Sequence, residues 1–432
     1  MTPLPAASLA LALLLAPRAA ATPAWGKVAP LPFGRSDVTA TPLGSLIYLA
    51  GGCDGAQKCA NNPPTGNNWI CSCSSHTLNF VAYSPATDTY ATKAPMLRPR
   101  YRHVTCPTLD ETRMVVFGGR AIPSDAIIPS IDVYSVAANA WTSLAVQLPS
   151  DVGSDNSCTT AATGDIYVMG GYDQFYSVSY STMYKFVLSP AGTAGAFTLV
   201  APMPLGLGDF SSTLDPAGLI HVLGGYSVAT DPSWWFCRPL RTHLTYSPKT
   251  GLWTDLTATA PLPVAQAEKD DALLVAGRLF VVGGESKTVA TGCSDLNITA
   301  LAGVYSYDLS VVPSTAAWRA EGSLPEGEMR LATAALNGVI YLFGGQGPII
   351  DRGSGGETIP ISYDVRTYTY NPLPPVPEAV PFFPGGTLAG AVVATFVGTL
   401  LAVWLVNSVR ARLLRARGAA LTASDAIDLG KV

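Results

Sequence analysis

Ile166-Tyr167-Val168-Met169-Gly170-Gly171 is an apolar run that stops at paired glycines. Four consecutive aliphatic or aromatic residues with no polar member between them read as a strand covered on both faces. The glycines let the chain turn where a Cβ would clash. The pattern recurs at residues 47–52, 114–119, 220–225, 279–284 and 340–345. Its first glycines stand at 51, 118, 170, 224, 283 and 344, at intervals of 67, 52, 54, 59 and 61 residues. Six copies at a near-constant period are the signature of a repeat architecture, in which each unit buries its faces only against its neighbours.

Within each repeat a variable loop follows the glycines, then an aromatic strand, then a second aromatic. Tyr134 precedes Trp141, Tyr246 precedes Trp253 and Tyr307 precedes Trp318; Tyr83 and Tyr90, and Tyr184 and Phe197, are looser versions. A proline corner closes each repeat, at Pro95, Pro149, Pro202, Pro261 and Pro325. This order resembles the kelch repeat family over residues 22–371. The resemblance implies a propeller whose blades each have four antiparallel strands, a to d. The sixth repeat ends at Tyr368-Thr369-Tyr370 without its tryptophan and corner. The missing piece stands at the N-terminus, Trp25-Gly26-Lys27-Val28-Ala29-Pro30. The expected fold is therefore all-β: a six-bladed propeller closed by an N-terminal outer strand, with no open sheet edge. A seventh blade would need a seventh Gly-Gly repeat.

The two ends read as addresses. Residues 1–21 contain an apolar run, 6–16, before Ala19-Ala20-Ala21, and read as a signal peptide, although no Lys or Arg precedes the run. Residues 372–384 carry six prolines and form a stiff linker. The uncharged segment 385–406 would span roughly 33 Å as a helix, enough to cross a bilayer. Arg410, Arg412, Arg415 and Arg417 follow it. They place the tail, 407–432, in the cytosol and argue against a lipid-anchor signal. The expectation is a single-pass type I protein of the plasma membrane or an endomembrane, its propeller extracellular or lumenal.

Formal net charge is −4, and the central region has no basic stripe of the kind nucleic acid requires. The a–b turns are short and the b–c connections long. Variability therefore gathers on the b–c and d–a loop face, where binding usually resides, and the linker should turn that face away from the membrane. Trp69, Trp234, Trp235 and Phe236 lie in those loops, as contact area for a protein or glycan partner or as a local lid. Arg100, Arg102, His103, Asp209, Asp270 and Arg330 follow the proline corners, near the start of the channel-lining strands a. They would meet a polar ligand there or form salt bridges at the rim.

Eight cysteines behind a signal peptide point to disulfides. Cys53, Cys59, Cys71 and Cys73 share one loop; Cys71 and Cys73 are too close for an easy mutual bridge, so each should pair with Cys53 or Cys59. Structural zinc is the alternative there. Cys237 and Cys293 occupy corresponding loops and are expected to pair. Cys106 and Cys158, at similar positions of adjacent strands a, are either a bridge or buried thiols. Asn297-Ile298-Thr299 is the acceptable glycosylation sequon.

Some kelch-like propellers are enzymes. Copper-radical oxidases need two His and two Tyr at the metal, whereas His76, His103, His221 and His243 show no ligand spacing. Sialic acid mutarotases are six-bladed and use a Glu, Arg and His group, roles that Glu268, Arg102 and His103 would have to fill. No nucleophile elbow, phosphate loop or metal motif occurs. The expected function is thus a binding module without cofactor, for a protein or glycan, with a carbohydrate-acting channel enzyme as the alternative.

Overall fold

The computed structural model describes residues 25–54, 57–62, 68–230, 238–268, 271–287, 298–347, 358–359 and 367–370. Six four-stranded antiparallel sheets form the blades. Blade one is Thr39–Leu43, Leu46–Ala50, Phe80–Ser84 and Thr89–Thr92, in the order a to d. Blade two is Tyr101–Pro107, Arg113–Arg120, Ser130–Ser135 and Ala140–Gln147; blade three is Ser157–Thr160, Ile166–Met169, Met183–Leu188 and Gly195–Leu199. Blade four is Ser211–Leu214, Ile220–Leu223, His243–Ser247 and Leu252–Asp255; blade five is Leu273–Val275, Arg278–Val282, Gly303–Asp308 and Trp318–Ser323. Blade six takes Ala332–Leu336, Val339–Phe343 and Thr367–Tyr370 from the end of the chain and Gly26–Val28 from its start. Lys27 stands opposite Tyr368, and the Trp25 ring stacks 5.0 Å from that of Tyr370. The closing strand is where the repeat pattern places it.

The strands b are buried on both faces, as their predominantly apolar sequences require. The outer strands d, such as Ala140–Gln147, are mostly exposed. The tyrosine and tryptophan of each repeat meet across strands c and d: Tyr134 faces Trp141, Tyr246 faces Trp253, and Tyr307 faces Trp318. Each indole N–H then donates to a carbonyl just before a proline corner: Trp141 to Ala94 at 2.9 Å, Trp253 to Ala201 at 3.0 Å and Trp318 to Ala260 at 3.1 Å. The tryptophan thereby pins its blade to the chain arriving from the preceding one.

The paired glycines are the complementary joint. Gly52 N–H donates to the Arg100 carbonyl of the next blade at 3.0 Å, and Gly345 N–H to that of Arg35 at 2.9 Å. Gly51 and Gly344 have φ of 59°, and a Cβ on either would lie 2.6 Å or 2.4 Å from the same carbonyls. Glycine is needed for the backbone conformation and for the close approach.

The b–c loop of blade one contributes a hairpin, Gln57–Asn62 and Asn68–Cys73, and Thr358–Ile359 joins it as a third strand. Cys53 and Cys73 are disulfide-bonded, with Cα atoms 5.8 Å apart, and the register sets Cys59 opposite Cys71. Cys106 and Cys158 are bridged between strands a of blades two and three, Cα atoms 6.1 Å apart, which decides between the two readings of that pair. Cys237, Cys293, Asn297 and residues 1–21, 372–384, 385–406 and 407–432 lie outside the described residues. Among the described residues no helix is long and apolar enough to cross a membrane.

Candidate functional site: a charged ring in the channel

One residue just before or at the start of strand a of each blade adopts a left-handed backbone conformation. These are Asp37, Arg102, Asp155, Asp209, Glu268 and Arg330, with φ between 50° and 56°. Non-glycine residues pay of order 1 kcal/mol or more for this conformation, and such positions concentrate at functional sites. The backbone links them around the axis. Asp37 N–H donates to the Arg330 carbonyl at 3.0 Å, Asp155 to Arg102 at 3.2 Å, Asp209 to Asp155 at 3.0 Å and Arg330 to Glu268 at 2.8 Å. The result is a ring of four carboxyls and two guanidiniums, one per blade, lining a cavity of about 80 Å³. A wider chamber of about 280 Å³ lies along strands a beyond it, with Asp271 lining both. Hydroxyls populate this wall: Thr41 meets Thr105 at 2.6 Å, and Ser212 meets Ser157 at 2.7 Å.

A second tier covers the ring on the b–c side. It comprises the residue after each Gly-Gly: Cys53, Arg120, Tyr172, Tyr226, Glu285 and Gln346, all at most 2% exposed. Tyr226 O–H donates to Glu285 at 2.5 Å. Arg120 Nε donates to Ser154 Oγ at 2.7 Å, and Ser154 in turn donates to Asp155 at 2.7 Å.

The ion pairs are uneven. Arg330 grips Glu268 at 2.8 Å. Arg102 Nε lies 3.5 Å from Asp155 and 3.8 Å from Asp37, and its Nη1 donates to Tyr176. Among the described residues no ion pair reaches Asp209. Burial raises the carboxyls of Asp37 and Asp155 above their usual range, against the pull of neighbouring guanidiniums. Asp209 is raised well above it by burial, with Glu268 and Asp155 adding like charge. Burial lowers Arg102, yet Tyr176, Asp155 and Glu268 outweigh it and hold the guanidinium above its ordinary value.

Of the residues singled out by sequence, Arg102, Asp209 and Arg330 join this ring, and His103 lines the same cavity. Burial, with Arg100 adding, pushes His103 down to about 3, so it is a neutral imidazole at ordinary pH. Glu268, raised only for the enzyme reading, is a full ring member. Arg100 is placed elsewhere. Fully buried inside its blade, it donates to the Gly118 carbonyl at 2.8 Å and to Asp132 at 2.6 Å, bracing the Gly-Gly corner. It stands two residues before the ring position, which is why its side chain takes a different direction. Asp270 stands two residues past that position and lies outside the described residues, as do Trp234, Trp235 and Phe236; Trp69 is on the blade-one hairpin. Asp37 and Asp155 went unnoticed in the sequence. A signal existed: ring residues precede the first glycine by 14, 16, 15, 15, 15 and 14 positions.

No family model matches the chain, and no curated protein matches it. Among solved structures it resembles one described as "Structure of YjhT", with a TM-score of 0.55 and 14% identity. That match covers 76% of this chain and 94% of the other. At this identity the likeness shows the propeller fold alone.

Proposed function

We propose that this chain is a kelch-type binding propeller of the secretory route, tethered by segment 385–406, whose recognition site is the charged channel ring. The ligand is a small polyhydroxylated molecule of the glycan class. One observation carries this reading: six charged residues at one structural position of six blades converge, in strained backbone, on a single cavity. Buried charges are costly, and unlike a folding core they present donors and acceptors inward. Carboxylates and guanidiniums offer planar hydrogen-bonding groups to paired sugar hydroxyls, and the serine and threonine wall continues that surface. Recognition on this reading lies in the channel and not at the loop aromatics.

The test is a panel of monosaccharides against the full-length protein, read by calorimetry. Asp155→Asn or Arg330→Met should abolish binding, while Trp234→Ala should leave it intact. The reverse pattern would return the site to the loops.

A carbohydrate-acting enzyme is the second reading. It is favoured by Asp209, whose carboxyl is raised well above its usual range by burial, with Glu268 and Asp155 adding like charge, and so is inclined to hold a proton it could donate. Accelerated anomer interconversion of a bound sugar, followed by NMR, would establish it.

A further inference from the structure

We infer that the ligand carries a protonated amine, seated against Asp209 on the acidic arc of the ring. This rests on the channel being a ligand site and specifies what enters it.

The ring is electrically polarised. In blade order it reads Asp37, Arg102, Asp155, Asp209, Glu268, Arg330. Asp37 is flanked on both sides by arginine. Asp209, diametrically opposite, is flanked on both sides by a carboxyl and stands two blades from either arginine. Three blades in succession therefore contribute only acid, and the other half carries two cations and one acid. Glu268 is engaged by Arg330 at 2.8 Å, whereas Asp209 lies in no ion pair of the described residues; its partner is the uncharged Tyr172 hydroxyl, and Arg102 and Arg330 act on it only from a distance.

A carboxyl enclosed between two others is costly unless a proton or a cation joins it. Two further observations point to a ligand rather than to a closed network. Both ends of the Asn156 side-chain amide are buried without a hydrogen-bond partner, and Asn156 lines the same cavity beside Asp155. The chamber along strands a also borders the cavity at Asp271, which lines both.

An organic ammonium matches the hydroxyl-bearing wall of strands a, which suits the rest of a sugar. An ammonium is compact, carries three donors and suits a site with acceptors from several directions. Asn156 then serves a neighbouring hydroxyl. An anionic sugar is disfavoured, because four carboxyls face two guanidiniums.

The experiment compares D-glucosamine, D-glucose and D-glucuronate, which share a ring and differ in charge, on the full-length protein at pH 7. Glucosamine should bind roughly tenfold tighter than glucose, the ratio that about 1.4 kcal/mol supplies. Asp209→Asn should weaken glucosamine binding more than glucose binding and so close that gap; if this variant fails to fold, Asp209→Ser should do the same. Glucose or glucuronate binding as well as glucosamine, with affinity lost in Arg330→Met, would overturn the amine and keep the channel site. No measurable binding of any of the three would overturn both. A glucosamine preference that survives Asp209→Asn would remove Asp209 from the role.

Discussion

Nδ1 of His221 lies 3.0 Å from Nε2 of His243, linking strands b and c of blade four. The pair belongs to a longer chain. His221 Nε2 is 3.2 Å from Asp215 Oδ2, and His243 Nδ1 is 2.8 Å from the Ala260 carbonyl. A carbonyl only accepts, so His243 carries its proton on Nδ1 and accepts at Nε2. His221 Nδ1 then donates to that nitrogen. Tyr307 of blade five closes over His243, ring centroids 4.9 Å apart.

Acid should therefore loosen this joint between blades. Burial, with His221 adding, holds His243 at about 4 in the folded protein. The unfolded chain takes up a proton near pH 6.5, so stability falls as pH drops from about 6.5 to 4. The loss is on the order of 3 kcal/mol. His103, pushed down to about 3, acts in the same direction. Urea titrations of wild type and His243→Leu across that range should show a shallower pH slope in the variant. The variant should also be less stable by about 1–3 kcal/mol at pH 7, because His221 loses its acceptor.

Asp209→Asn should stabilise the protein at neutral pH. A carboxyl raised in the folded state favours folding as pH falls toward its unfolded value, and costs stability above its folded value. Removing its charge should therefore raise stability at pH 7. The gain should shrink toward pH 4. Thermal melts at several pH values measure it. A loss of stability at pH 7 instead would mean that Asp209 is a structural hydrogen-bond acceptor first.

Reduction should destabilise the channel wall. The Cys106–Cys158 bridge spans 52 residues, for which loop entropy gives about 4 kcal/mol. The Cys106→Ala, Cys158→Ala double variant should lose a comparable amount in denaturant titration. No change would mean the wall holds by packing alone.

The closing strand should behave as part of the core, although it begins the chain. Trp25→Ala removes the stack on Tyr370 and should cost about 2 kcal/mol. Deleting Gly26–Val28 exposes the edge of Thr367–Tyr370 and should produce concentration-dependent association, seen by light scattering.

The repeat was legible because its chemistry is local and recurs. Gly51-Gly52 and its five counterparts, the Tyr134–Trp141 type of pair and the proline corners are short-range patterns whose physical reasons hold in every blade. Those patterns also fixed the blade count and the completion of blade six by Trp25 and Gly26–Val28. The site was legible only in part. Arg102, Asp209 and Arg330 were picked out as charges near the start of strand a. Arg100 looked equivalent to Arg102 but turns into its own blade. Asp37 and Asp155 were indistinguishable from ordinary surface acids. Sequence by itself thus determined the repeat, its number and its closure. Only the tertiary structure decided which charges meet, because residues some 50 to 65 positions apart become neighbours when six blades turn about one axis, and a two-residue offset sends a side chain to a different place. Burial within that ring then sets the unequal environments of Asp37 and Asp209, which no linear pattern encodes.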